Sequence, residues 1–215
     1  MLEEKYREKI GSYYGNYRSD ILPLLPKHVG KVLEIGCGTG NTLAYMKANG
    51  YCDWTCGVDL FPSAVEEAAT KLDRVYQGNV EQTDLPIEPG SIDLILCLDV
   101  LEHLVNPQKV VAYLHTLLAP GGVIIASIPN VRHRSVVLPL VFGNKWEYRD
   151  SGVLDNTHLR FFVKSTAIEL MKSSGLKLEM VAPSTFYGDR IDKMVSNIPL
   201  IGSFFVINYL VKVSN

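Results

Sequence analysis

The chain has 215 residues, a formal net charge of −2, 47% hydrophobic residues and 20% charged residues. Those values describe one ordinary globular domain, long enough to bury a core without disulfides or metals. With no basic block or stripe, sequence-independent nucleic-acid binding is not expected, since it needs clustered Lys and Arg.

Residues Leu2 to Leu25 mix charges with tyrosines and read as one or two short helices, ended by Pro23 and Pro26. This leader, residues 1–28, is a candidate lid carrying Tyr13, Tyr14, Tyr17 and Arg18, or simply a helix packed on the domain. Lys31 to Ile35 is a short apolar strand that runs straight into Gly36-Cys-Gly-Thr-Gly40. A helix over Asn41 to Lys47 starts on that loop. Thr55 to Val58 is a second strand ending in Asp59, and Pro62 opens a helix through Leu72. Arg74 to Gln77 is a third strand; Asp93 to Leu98 is a fourth, apolar enough to be buried on both faces. Pro107 to Leu118 is helical with one apolar face, Pro120-Gly-Gly122 is a turn, and Val123 to Ile128 is a fifth strand.

Alternating strand and helix predicts a doubly wound, mostly parallel sheet with helices on both faces. The pattern breaks over residues 129–162, an irregular insert rich in Arg, His, Asn and Trp. Lys164 to Ser174 returns as a helix with Gly175 as C-cap. Leu176 to Ala182 and Phe204 to Val213 are the final strands, paired antiparallel at a sheet edge. The apolar stretch from Ile198 to Val213 is broken by Pro199, Gly202, Ser203 and Asn208, so it reads as a buried strand and not a membrane span. Met1-Leu-Glu-Glu-Lys lacks an apolar signal region, and Cys37, Cys52, Cys56 and Cys97 form no Cys-x-x-Cys pair. Reduced, buried thiols, a cytoplasmic setting and no metal are the expectation.

The chemistry starts at Leu33-Glu-Ile-Gly-Cys-Gly-Thr-Gly40. Glycines let a ligand approach the backbone, and the helix N-terminus offers free N–H groups. Asp59, at the end of the next strand, suits the two hydroxyls of a ribose. An adenosine-containing cofactor follows, with NAD still open. The Gly-x-Gly-x-Gly spacing, and Glu34 placed to attract a cationic ligand rather than a pyrophosphate, favour a sulfonium methyl donor.

Taken in order, Leu33 to Gly40, Gly57-Val-Asp-Leu60, Ile92 to His103 and Leu118-Ala-Pro-Gly-Gly-Val123 resemble the signatures of class I S-adenosylmethionine-dependent methyltransferases. The resemblance covers about residues 30 to 130 and implies a seven-stranded Rossmann-like methyltransferase fold with an antiparallel last strand, the methyltransferase domain running over 29–215. It implies that Glu34 and the Gly36 backbone face the methionine amino group, that Gly38 gives room for the donor, and that Cys37 is a further cofactor-binding residue. It gives Asp59 the ribose hydroxyls, Asn79 the adenine and the Leu98 backbone the methionine part, with Leu60 and Val80 also among the cofactor-binding residues. Asn79 stands where the family often has Asp.

Five histidines are candidates for proton transfer. His28 and His115 read as surface residues; His103 follows the fourth strand, and His133 and His158 fall in the insert. Asp155 to Phe162 resembles a segment of small-molecule O-methyltransferases, including the ubiquinone-biosynthesis type, in which a Thr-His lies near the acceptor. His158 and His103 are therefore the expected bases. Asp99 and Glu102 are either functional or a solvated helix start; Trp146 and Tyr148 are either an acceptor wall or the insert's own core. Ser127 to Phe162 resembles bacterial surface-glycan methyltransferases, which implies a small-molecule or glycan hydroxyl as acceptor. Arg132, Arg134, Arg149 and Arg160 would suit a phosphorylated or acidic one. An NAD-dependent oxidoreductase and a non-catalytic binding module stay open as alternatives; oligomeric state is not readable.

Overall fold

A computed structural model describes residues 17–184, 186–196, 198–199 and 201–215. Its strands are β1 (Val29–Ile35), β2 (Cys52–Asp59), β3 (Arg74–Gln77), β4 (Ile92–Leu98), β5 (Leu118–Pro129), β6 (Lys177–Pro183) and β7 (Asn208–Ser214). Its helices are α1 (Asn41–Ala48), α2 (Pro62–Ala68), α3 (Pro107–Leu117), α4 (Arg134–Gly143), α5 (Lys164–Lys172) and α6 (Arg190–Val195).

The strands form one sheet in the order β3-β2-β1-β4-β5-β7-β6. Only β7 runs against the others: it pairs antiparallel with both β5 and β6. The strand order reverses between β1 and β4, and ligands in open α/β sheets sit outside the carboxyl ends at such a point.

Alternation within the central strands builds two cores, one on each face of the sheet. Leu33, Ile35, Ile95 and Cys97 face α3 and α5, meeting Val110, Leu114 and Leu170. Val32, Leu94 and Leu96 point the other way, against Leu43 and Met46 of α1. Ile21 and Leu24 of the leader join that second core. They lie on a short 3-10 helix, Ser19–Leu24, with Pro23 inside it. The end of the leader is therefore packed into the domain, whereas Tyr13 and Tyr14 lie outside the described residues.

Three expectations need correction. The insert contains α4, a helix with Pro139 inside it that buries only Val136. Its apolar residues run all round, so no polar face marks the period, and proline inside a helix reads as a breaker. The stretch from Ile198 is not all strand: Gly202–Phe205 is a 3-10 turn, and only Asn208–Ser214 enters the sheet. The Pro120-Gly-Gly122 turn lies within β5, where pairing jumps from Ile92–Leu118 to Leu94–Val123, so the turn is absorbed as a bulge. Among the described residues, no helix is long and apolar enough to cross a membrane.

Candidate active site

Gly36, Gly38 and Gly40 all take left-handed backbone, with φ of +69°, +52° and +78°. This turns the chain sharply from β1 into α1. The Gly36 and Cys37 amides donate to the Val58 carbonyl at 2.8 and 3.0 Å, which ties the loop to the end of β2. A Cβ on Gly36 would lie 2.4 Å from Val100 Cγ2. Gly36→Ala is therefore expected to lower stability by about 1–3 kcal/mol through strain and overlap, and to weaken donor binding; melting temperature and S-adenosylhomocysteine titration check it.

Asp59 is 5% exposed. Its Oδ2 accepts from the Gly38 amide at 2.8 Å and its Oδ1 from the Phe61 amide at 3.0 Å. The carboxylate is thus fixed in the turn that a ribose would approach. Leu60 beside it is exposed, and Leu98, at the end of β4 on the other side of β1, is buried. Asn79 Oδ1 accepts from the Glu81 amide at 2.9 Å, so the side chain also shapes its own turn. The Val80 side chain packs into the core. Cys37 is buried likewise, its thiol packed toward Gly57 and its pKa driven up by burial.

Glu34 is the outlying group. It is 3% exposed, and its Oε2 has no hydrogen-bond partner. Burial pushes its carboxyl up to about 8, with Arg18 opposing and nearby Asp59 adding to the shift. Ionising a buried carboxyl with an unpartnered oxygen is costly, and a cation supplied by a ligand would offset that cost.

Arg18, which the sequence offered only as part of a candidate lid, enters the same region. Its guanidinium bonds Asp20 and Asp99, at 2.9 and 2.7 Å. Asp99 has φ +60°, rare for a residue other than glycine. It also accepts from Ser127 at 2.6 Å, Tyr187 at 2.7 Å and Asn208 at 2.6 Å. The solvated-helix-start reading of Asp99 thus fails: it is the hub that joins the leader, β4, β5, β7 and the loop after β6.

That reading fails for Glu102 too. Glu102 is 1% exposed and neither carboxyl oxygen has a hydrogen-bond partner. Burial, helped by Asp99, pushes its pKa well above the usual carboxylate range. Its neighbours are the two expected histidines, which the fold brings together with ring centroids 4.7 Å apart. His158 Nδ1 is 3.0 Å from the Val153 carbonyl and His103 Nδ1 is 3.2 Å from that of Thr157. A carbonyl only accepts, so each Nδ1 carries a proton, which leaves Nε2 as the basic atom of the His158 ring. Burial, then His103, holds the His158 pKa below the usual imidazole value. His158 Nε2 is 3.9 Å from Glu102 Oε1, too long for a hydrogen bond. With the acid protonated and the imidazole neutral, this is not an ion pair. Ligand atoms of Glu102, His103 and His158 lie within 4.8 Å of one another, a grouping of metal-ligating types that their spacing in sequence did not reveal.

The other histidines are structural. His133 caps α4, accepting from the Ser135 amide, with Nε2 3.3 Å from Asp192. His28 is exposed beside Asp53, while His115 is half-buried between the Ser174 carbonyl and Asn215. Trp146 and Tyr148 cluster with Phe161, at centroid distances of 5.4 and 6.3 Å. Phe161 in turn is 6.4 Å from His158, so this cluster borders the histidine pair.

A family model described as a methyltransferase domain matches residues 6–181. The chain belongs to that family. It is 26% identical over 155 residues to the ubiquinone biosynthesis O-methyltransferase of Acinetobacter baylyi, covering 69% of this chain and 64% of that protein. Its identity to the Burkholderia thailandensis protein of the same name is 28% over 166 residues, covering 73% and 68%. The chain thus spans about two thirds of these relatives' length. Among solved structures, a SAM-dependent methyltransferase from Aquifex aeolicus matches with TM-score 0.65 at 14% identity, covering 99% of this chain and 97% of that one. Magnesium protoporphyrin IX methyltransferase from Synechocystis, solved with bound SAH, matches with TM-score 0.62 at 13% identity, covering 100% and 83%. At such identity these structures speak for the fold, and that fold is the methyltransferase one.

Proposed function

We propose that this methyltransferase-family chain uses S-adenosylmethionine to methylate a hydroxyl of a small molecule. The observation that carries the reading is Glu34: a buried carboxylate with an unpartnered oxygen, beside a glycine loop and a fixed Asp59. A dinucleotide's pyrophosphate would be repelled there; an amino acid's ammonium would be attracted. Glu34, which holds its proton in the ligand-free protein, would ionise against the ammonium of an amino acid bound there. Asp59 and Leu60 would hold the ribose, Asn79 and the Val80 backbone the adenine, and Gly36, Cys37, Gly38 and Leu98 the methionine part.

S-adenosylmethionine supplies an already activated methyl group, so the protein's task is mainly alignment, which can contribute about 7–11 kcal/mol. His158 takes the acceptor's hydroxyl proton at Nε2, and Phe161 with Trp146 and Tyr148 borders the acceptor. Their exposed flank suits a ring or sugar face, and a glycan hydroxyl is the finer reading that an acceptor screen addresses. The leader closes the donor side as a lid, with Tyr17 stacked on Tyr45 at 3.7 Å. A reducing, cytoplasmic setting fits four free, buried cysteines.

The test is thermal stabilisation by S-adenosylmethionine, S-adenosylhomocysteine and NAD in parallel. Ligand at 100 times its Kd adds about 2.7 kcal/mol. Stabilisation by the two adenosyl amino acids, lost in Asp59→Ala, is the expected result. Stabilisation by NAD alone would overturn the reading.

A further inference from the structure

A groove of about 510 Å3 opens at the far edge of the sheet, away from the glycine loop. Its floor is the end of β6 and the start of β7, with Val181 and Tyr209. One wall forms where two segments run side by side. Asn130 and Phe162 make a parallel bridge, and the Val131 amide donates to the Phe162 carbonyl at 2.8 Å. Two residues further along each segment, that pairing puts Arg132 and Lys164 on the groove together. Asn130, 1% exposed, holds the opposite wall by donating to the carbonyls of Ser203 and Val206 at 2.9 and 2.8 Å.

Charge is what makes this groove unusual. Among the described residues, two cations line it and no carboxylate does. Among the described residues neither Arg132 nor Lys164 has a carboxylate partner. Arg134, only two residues on, has two: Asp189 at 2.6 Å and Asp192 at 2.9 Å. Arg132 and Lys164 are instead placed by rings. The guanidinium sits 4.5 Å from the Phe204 centroid, and the Lys164 ammonium 5.9 Å from that of Tyr209. Such contacts fix a cation's position without neutralising it. Ser196 and Ser203 add hydroxyls, and Ile198 and Val206 add apolar surface.

The geometry points to a binding site for an organic phosphate ester, with Arg132 and Lys164 on the phosphate oxygens and the apolar lining on the organic part. A guanidinium fork and an ammonium together match an anion with several equivalent oxygens. The site stands apart from the methyl-transfer reading, yet the two regions are joined. His158 precedes Lys164 by six residues, a span of at most about 20 Å of extended chain. A phosphorylated acceptor and a separate phosphorylated ligand offer the same chemistry here.

The experiment is calorimetric titration of the full chain with phenyl phosphate in phosphate-free buffer. Saturable binding is expected, weakened at least about tenfold in Arg132→Gln/Lys164→Gln and unchanged in Lys31→Gln, at an exposed cation on β1. S-adenosylhomocysteine affinity, measured on the same proteins, should stay within about twofold, which shows that the double variant is folded. A parent without saturable binding, or a double variant that binds phenyl phosphate as tightly as the parent, overturns the site. If phenyl phosphate binds as expected and S-adenosylhomocysteine does not, the site survives and the methyltransferase reading falls. Competition between phenyl phosphate and the methyl acceptor in turnover assigns the groove to the acceptor; a rate effect without competition assigns it to a separate ligand.

Discussion

His158→Ala is expected to lower kcat by about 10²–10⁴, the usual worth of a positioned general base, with S-adenosylhomocysteine affinity unchanged. His158 Nδ1–H is spent on the Val153 carbonyl, which leaves Nε2 as the basic atom. Burial and the neighbouring His103 keep the ring neutral by lowering its pKa below 6.5. A base must be unprotonated to act, so kcat should be flat near neutral pH and fall only as pH drops below that range. The acid limb should vanish in His158→Gln, whose residual rate no longer depends on that titration. His103→Ala should cost less in kcat and shift the acid limb upward, because it removes a group that holds the His158 pKa down. If both alanine variants turned over like the parent, proton removal would belong to another group.

The sheet was legible because its signals are local. β1, β2, β4 and β5 carry apolar runs bounded by turn residues, and β3 is read at its observed bounds, Arg74–Gln77. The glycine loop was legible for a related reason: Gly36, Gly38 and Gly40 perform a backbone task that shows in residue type. Contacts across long stretches of chain were not legible. Arg18 meets Asp99 across 81 residues and Asn208 meets it across 109, with nothing in either neighbourhood to announce the pairing. The dyad of His103 and His158 depends on the insert folding back: the Leu159 and Arg160 amides both donate to the Glu102 carbonyl, at 2.9 and 3.0 Å. The same fold-back hid the cationic groove. Four arginines in one polar stretch look alike in sequence. The structure sends Arg134 to two aspartates and Arg160 to the Val105 carbonyl, and places Arg132 with Lys164 on the lining of one groove.

Glu34→Gln should separate stability from binding. The unfolded carboxyl titrates near 4.5, whereas the folded one holds its proton up to about 8. Between those values the folded state keeps a proton that the unfolded chain has released. Stability of the ligand-free protein must therefore fall as pH rises through that window, by on the order of 3–5 kcal/mol for a shift of this size. Glutamine stays neutral throughout, so the variant should lose less stability than the parent between pH 5 and 8 and be the more stable of the two at pH 8. Glu102 is raised in the same direction, and it slopes both proteins alike, so the difference between their curves isolates Glu34. Binding should move the opposite way. A charge-assisted hydrogen bond to an ammonium contributes about 1.5–3 kcal/mol, so Glu34→Gln should bind S-adenosylhomocysteine roughly 10- to 150-fold more weakly. Saturating ligand should also flatten the parent's curve, because the bound ammonium stabilises the ionised carboxylate. Melting temperatures of both proteins across pH 5 to 8, with and without S-adenosylhomocysteine, read all of this at once. Parallel pH curves for parent and variant, together with equal affinity, would mean that Glu34 meets no cation and that its buried carboxyl has a purely structural role.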